Sequence, residues 1–235
     1  MLIRSKMVKL TIRSSDSSPS PSLDTWDRKT IEIAKSCLYE MNRVAEIKFT
    51  TIPGSKLKEI FWDLPKSAPQ LHTLCISSLT AFSIHDDFLY DTENLRHVEL
   101  INCKISWDSR LLTGLTRLTL QDSLKANSSI IQVLQALQRM PALTNLHLID
   151  SIPNDAEGSF TYAVVDLPCL RVLNISSGVG AVTAVLRHIT FPRSAILNVT
   201  CKGKQSIKIN FSSFFFVLAT KFLSTLVVQI GRAHV

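Results

Sequence analysis

Residues 95–105, LRHVELINCKI, carry apolar side chains at the first, fourth, sixth and eleventh positions and a cysteine at the ninth. The two-residue step from Val98 to Leu100 is strand alternation, which sends these two to one side and His97, Glu99 and Ile101 to the other. The first, fourth and sixth positions recur at Leu71/Leu74/Ile76, Leu115/Leu118/Leu120, Leu143/Leu146/Leu148 and Leu170/Leu173/Ile175. Weaker copies stand at Val44/Ile47/Phe49, at Leu223/Leu226/Val228, and at Ser194/Leu197/Val199, whose first position is polar. From Val44 onward the offsets between copies are 27, 24, 20, 28, 27, 24 and 29 residues.

The complete copy matches the leucine-rich repeat pattern L-x-x-L-x-L-x-x-N/C-x-L, whose period is 20–29 residues. Pro69, Pro141, Pro168 and Pro192 each precede a first position by two residues. Proline cannot continue a helix, so these are expected to stop one just before the next strand begins. Ile130, Ile131, Val133, Leu134, Leu137 and Met140 follow a helical period after an expected Asn127/Ser128 cap. Val179, Val182, Val185, Leu186 and Ile189 do likewise, and residues 214–222 read as a third helix. The expected fold is α/β: a leucine-rich repeat solenoid of about 6–8 repeats, a curved parallel sheet with helices on the convex side. Residues 1–43 read as an N-terminal strand, a Ser/Pro loop (14–22) and a capping helix running through Trp26, Ile31, Ile33, Leu38 and Met41. Residues 44–229 form the repeat domain. Residues 230–235, IGRAHV, read as a translated sequencing-adapter scar.

The chain has 235 residues, 46% hydrophobic and 19% charged, which suits a buried core and excludes wholesale disorder. Its net charge of +7 belongs to the C-terminal part, because Asp166 is the last acid and eight Lys/Arg follow it. Those bases are scattered among apolar positions without interleaved aromatics, so no specific nucleic acid is expected as a partner. Cys37, Cys75, Cys103, Cys169 and Cys201 are odd in number and lack a C-x-x-C pair, which favours reduced thiols in an intracellular protein, in cytoplasm or nucleus. The N-x-[ST] sequons at Asn127, Asn174, Asn198 and Asn210 accordingly carry no expectation of glycosylation. Val8, Leu10 and Ile12 alternate as a strand and not as a presequence helix. Residues 211–230 are apolar, but Lys221 and several Ser/Thr weaken insertion, so no membrane contact is expected.

On a repeat fold the alternation turns Thr73, Cys75, His97, Glu99, Arg117, Thr119, Asn145, His147, Val172, Asn174 and Asn198 outward on the concave face. This mixture of small polar groups, histidines and apolar residues fits a protein partner better than a phosphate backbone. Residues 177–183, SGVGAVT, imitate a dinucleotide turn, but Thr183 stands at the third glycine position and no acid follows Asp166. His85-Asp86-Asp87 reads as a solvated loop, and His97 and His147 lie two strands apart, about 10 Å, too far to share a metal. No G-x-S-x-G, H-E-x-x-H or Walker sequence is present. Neither catalysis nor a cofactor or metal site is expected.

Residues 1–6 and 8–12, MLIRSK and VKLTI, resemble the "L-x-R-S-K…P-L-x-I" strand segment in the large F-box protein families of mushroom-forming fungi. The unit beginning Ala68-Pro69-Gln70-Leu71 is similar to the "A-P-x-L-x-x-L-x-L" units that follow it there. The resemblance covers residues 2–229. It implies a substrate-recognition role: in that family an upstream F-box binds a Skp-type adaptor of a cullin ubiquitin ligase, while the repeats hold the substrate protein. No F-box is read in this sequence, so adaptor binding is implied only for a longer parent protein. The alternative is a free-standing leucine-rich repeat scaffold or inhibitor with no ubiquitin role.

Overall fold

The computed structural model describes residues 8–10, 12–13, 26–153, 163–202 and 226–229, the last four as backbone. The Ser/Pro loop, the helix expected at 214–222, Asn210 and the tail 230–235 lie outside the described residues. The chain is an α/β protein built on one parallel sheet. Its strands are β1 (Val8–Lys9), β2 (Ile12–Arg13), β3 (Val44–Ile52), β4 (Thr73–Ser83), β5 (His97–Lys104), β6 (Arg117–Gln121), β7 (Asn145–Ile149), β9 (Val172–Gly178), β11 (Ile196–Lys202) and β12 (Leu226–Gln229). From β3 to β12 they neighbour one another in chain order, with β1 and β2 both on the outer edge of β3. Two short strands, β8 (Val165–Asp166) and β10 (Ile189–Thr190), form a separate parallel pair.

The pairing register coincides with the sequence repeat. Fourth positions face one another from strand to strand: Ile47, Leu74, Val98, Leu118, Leu146, Leu173, Leu197 and Leu226. The first positions Val44, Leu71, Leu95, Leu115, Leu143 and Leu170 are all buried. Full burial of each such side chain is worth about 1.5–3 kcal/mol, and stacking supplies what no single unit could bury alone. The Ser194 unit departs from the pattern: Ser194 is exposed and the neighbouring Ala195 turns inward instead, because a hydroxyl has no partner in the apolar stack.

The segments between strands also recur. The amide of Leu71, Leu95, Leu143 and Leu170 each donates to the carbonyl three residues earlier. Pro69, Pro141 and Pro168 therefore occupy the second place of a β-turn, where a fixed φ suits them. Only Pro141 directly follows a helix, so the helix-stopping role expected of all four prolines gives way to turn formation. The eighth position enters the left-handed region in four units, near the end of the strand at Thr51 (φ 53°) and Asn102 (56°) and just beyond it at Asp122 (50°) and Asp150 (49°). Asn and Asp tolerate that conformation by local side-chain hydrogen bonding. At the ninth position a buried donor turns back to the sheet: Cys103 Sγ contacts Ile76 O and Ile101 O, and Ser123 Oγ reaches Leu100 O (3.0 Å) and Gln121 O (2.8 Å).

Four α-helices are described, α1 (Arg28–Leu38), α2 (Gly54–Phe61), α3 (Ile130–Gln138) and α4 (Val179–His188), with a 3-10 turn at Met41–Arg43. α2 packs on β4, α4 on β9 and β11, α1 on α2, and α3 on α4. α1 starts at Asp27, whose carboxylate accepts from Thr30 N, and buries Ile31, Ala34 and Leu38. Trp26 precedes the helix, and Ile33, counted above on its apolar pattern, is exposed on the opposite side. The cap of α3 is Ser129 and not Asn127/Ser128: its hydroxyl accepts from Gln132 N while the Gln132 side chain accepts from Ser129 N. Asn127 instead takes a left-handed turn. Gly54 stands close to the irregular stretch of β4: a Cβ there would lie 3.0–3.2 Å from Thr80 and the carbonyl of Ala81, a tight approach that glycine avoids.

Candidate functional site

Parallel pairing in constant register places the outward-facing residues in rows that cross the strands. One row runs Glu46, Thr73, His97, Arg117, Asn145, Val172, Ile196; the next runs Lys48, Cys75, Glu99, Thr119, His147, Asn174, Asn198. The eleven residues that strand alternation turns outward stand in these two rows, on β4, β5, β6, β7, β9 and β11. Ten are partly or fully exposed, whereas the residues between them are buried. Cys75 is the exception at 8% exposure, set beside His97, Glu99 and Lys48.

The second row is joined by side-chain hydrogen bonds across three strands. Asn198 Nδ2 donates to Asn174 Oδ1 at 2.6 Å, and Asn174 Nδ2 lies against the His147 ring, 3.3 Å from Nδ1 and 3.4 Å from Nε2. Whichever ring nitrogen accepts from the amide must be unprotonated, so the contact favours neutral His147. Burial lowers the pKa of His147 below its ordinary value, opposed by the charge of Glu99. The same cause lowers His97, helped by Arg117 and Lys48 and again opposed by Glu99. The three polar residues therefore orient one another and present fixed amide edges on the open side of the sheet.

The part of the face on β3, β4 and β5 is charged. Glu46 is buried between Lys9, at 2.7 Å, and Lys48. One strand further, Cys75, His97 and Glu99 bring a sulfur, a ring nitrogen and a carboxylate oxygen within 4.8 Å of one another. Burial, and then the neighbouring Glu99 carboxylate, push the Cys75 thiol up to about 11. It is thus a protonated thiol at neutral pH and not a poised thiolate. This trio escapes a search by chain spacing, because Cys75 is 24 residues from Glu99 and meets it only through strand pairing. Superposing the repeats would have revealed it, since Cys75 and Glu99 share the fifth position of successive units.

The other motifs resolve into structure. Gly178 ends β9 and caps α4 with ordinary negative φ, a strand-to-helix turn. Asp86 and Asp87 pair with Lys125 and Lys66 on an exposed loop. His97 and His147 are separated by the whole of β6. No helix among the described residues is long and apolar enough to cross a membrane. No family model matches the chain, and no curated protein is significantly similar to it.

Proposed function

We propose that this chain is a non-catalytic protein-interaction module, a leucine-rich repeat solenoid of about 6–8 units whose open sheet face is the concave binding surface. The observation that carries the reading is the ordered row His147–Asn174–Asn198 on the uncovered side of a parallel sheet. Hydrogen-bonded to one another, these groups offer pre-set donors and acceptors, so a partner would not have to order them on binding. Val172 and the exposed Ile196, adjacent on β9 and β11, add an apolar anchor at the end of the first row. A protein segment with backbone amides and one apolar side chain suits such a surface.

The similarity of residues 1–12 and of the Ala68 unit to fungal F-box proteins supports a more specific role, substrate recognition for a cullin-type ubiquitin ligase. In that role the ligase chemistry resides in other subunits, and a Skp-type adaptor joins through an F-box outside this sequence. The test is photo-crosslinking in cells from Thr119 and Asn174, compared with Gln138 on α3. Capture of a defined protein from the sheet positions alone is the expected result; equal capture from Gln138 would overturn the assignment of the face. Co-precipitation of a Skp-type adaptor with the full-length protein then separates the ligase role from a free-standing scaffold.

A further inference from the structure

We propose that Cys75, His97 and Glu99 form a binding site for a zinc-class divalent cation, with three protein ligands and a fourth position open on the exposed side of the sheet. The inference stands on the pairing of β4 with β5 and does not depend on the interaction role. His97 and Glu99 lie two residues apart on one strand and so project from the same face, while Cys75 sits directly opposite Glu99 on the next strand. Three donors thus stand at the corners of a triangle above the sheet, all within 4.8 Å, with His97 Nε2 and Glu99 Oε2 3.9 Å apart. Around a tetrahedral zinc with bonds of 2.0–2.3 Å, neighbouring donors are roughly 3.3–3.7 Å from one another. Closing the triangle by about 1 Å is within the reach of side-chain torsions and leaves the strands in place.

The donor set selects the ion. Thiolate, imidazole and one carboxylate suit zinc or cobalt, whereas magnesium and calcium call for oxygen ligands alone. The Cys75 proton passes to solvent as the sulfur–metal bond forms, and thiolate and carboxylate then together balance the charge of a divalent cation, which fits a site whose sulfur is almost buried. The competing cations are partly engaged elsewhere: Lys48 pairs with Glu46, which Lys9 also contacts. Arg117, beside His97 in the first row, is exposed and free to turn outward. Three ligands with an open position are the arrangement by which zinc takes a water or an exogenous donor as its fourth ligand.

Titration of the full-length chain with Co²⁺ under reducing conditions tests this. The expected result is one equivalent bound, with a sulfur-to-cobalt charge-transfer band and intense visible bands of tetrahedral cobalt, bleached by Zn²⁺. Cys75→Ser should abolish the charge-transfer band. His97→Gln and Glu99→Gln should each weaken binding at least about tenfold, the loss seen even for residues that only support a metal ligand. Cys169→Ser and His147→Ala should bind as the unaltered chain does. Absence of the charge-transfer band from the folded unaltered chain would overturn the proposal. So would a band that survives Cys75→Ser, or one lost in Cys169→Ser. Because the first of these readings needs no variant, misfolding of Cys75→Ser would not shelter the proposal.

Discussion

Replacing Ser123 by alanine removes one hydroxyl from the interior and tests whether the ninth position of each unit is a structural hydrogen-bonding post. Ser123 is 2% exposed, and its Oγ lies 3.0 Å from Leu100 O on the preceding strand and 2.8 Å from Gln121 O on its own. One hydroxyl proton serves these two carbonyls, and the main-chain amide of Ser123 is separately satisfied by Ser151 Oγ at 3.2 Å. Alanine keeps that amide bond and fills nearly the same space, so the loss is a buried donor and little packing. Leaving a buried acceptor without its donor costs about 1–3 kcal/mol. Taking about 2 kcal/mol, the melting midpoint of a chain of this size should fall by roughly 4–8 °C. Ser123→Cys should recover most of it, because Cys103 stands at the same place one unit earlier with its sulfur 3.3 Å from Ile101 O and 3.7 Å from Ile76 O. Urea unfolding followed by far-ultraviolet circular dichroism, with thermal melts alongside, measures both variants. An alanine variant as stable as the parent, or a cysteine variant less stable than alanine, would refute the reasoning.

Ser129→Ala should lower stability by about 1 kcal/mol, read from the same urea midpoints, since it dismantles the reciprocal cap at the start of α3. Thr51→Asn should raise stability by up to about 1 kcal/mol, because an exposed β-branched residue sits at φ 53° where asparagine is tolerated. His97 and His147 both have folded pKa values below the ordinary 6.5, so below that pH the unfolded chain binds more protons than the folded one. Stability should therefore fall as pH drops through 6.5 toward the folded values, and His147→Gln should flatten part of that slope in melts across pH 5–8. Towards a disulfide reagent at pH 8, exposed Cys169 should react far faster than Cys103 and Cys201. Burial holds those two thiols near about 12 and about 11, and a stopped-flow trace in which Cys103 reacts as fast as Cys169 would contradict this.

The repeat made the strands and their alignment legible before any coordinates, because identical positions in successive units must occupy the same layer of the core. Leu74, Val98 and Leu118 could be matched from offsets alone, and the alternation then turned Thr119, His147 and Asn174 to the open side. The segments between strands were harder to read. Their lengths vary and their apolar residues answer to several neighbours at once. Ile33 and Ile131 fit a helical period yet point to solvent, and the cap of α3 fell two residues later than Asn127, which spends its left-handed tolerance on a turn. The prolines signalled the right place for a different reason, being turn residues where a helix end was expected. The cluster of Cys75, His97 and Glu99 stayed hidden because motif spacing runs along the chain while its geometry runs across it.

The intervals between units range from 20 to 29 residues, yet the fourth to sixth positions of neighbouring strands stay in register from β3 to β11. Insertions are thus absorbed beyond these rows, in the connecting segments and in the bulges at the strand ends, and the open face behaves as a coordinate grid in which strand and row fix each side chain's address. A residue can be exchanged at one address without moving its neighbours' addresses. A whole unit, excised between equivalent turns, would shorten the grid by one column and leave the spelling of the others intact.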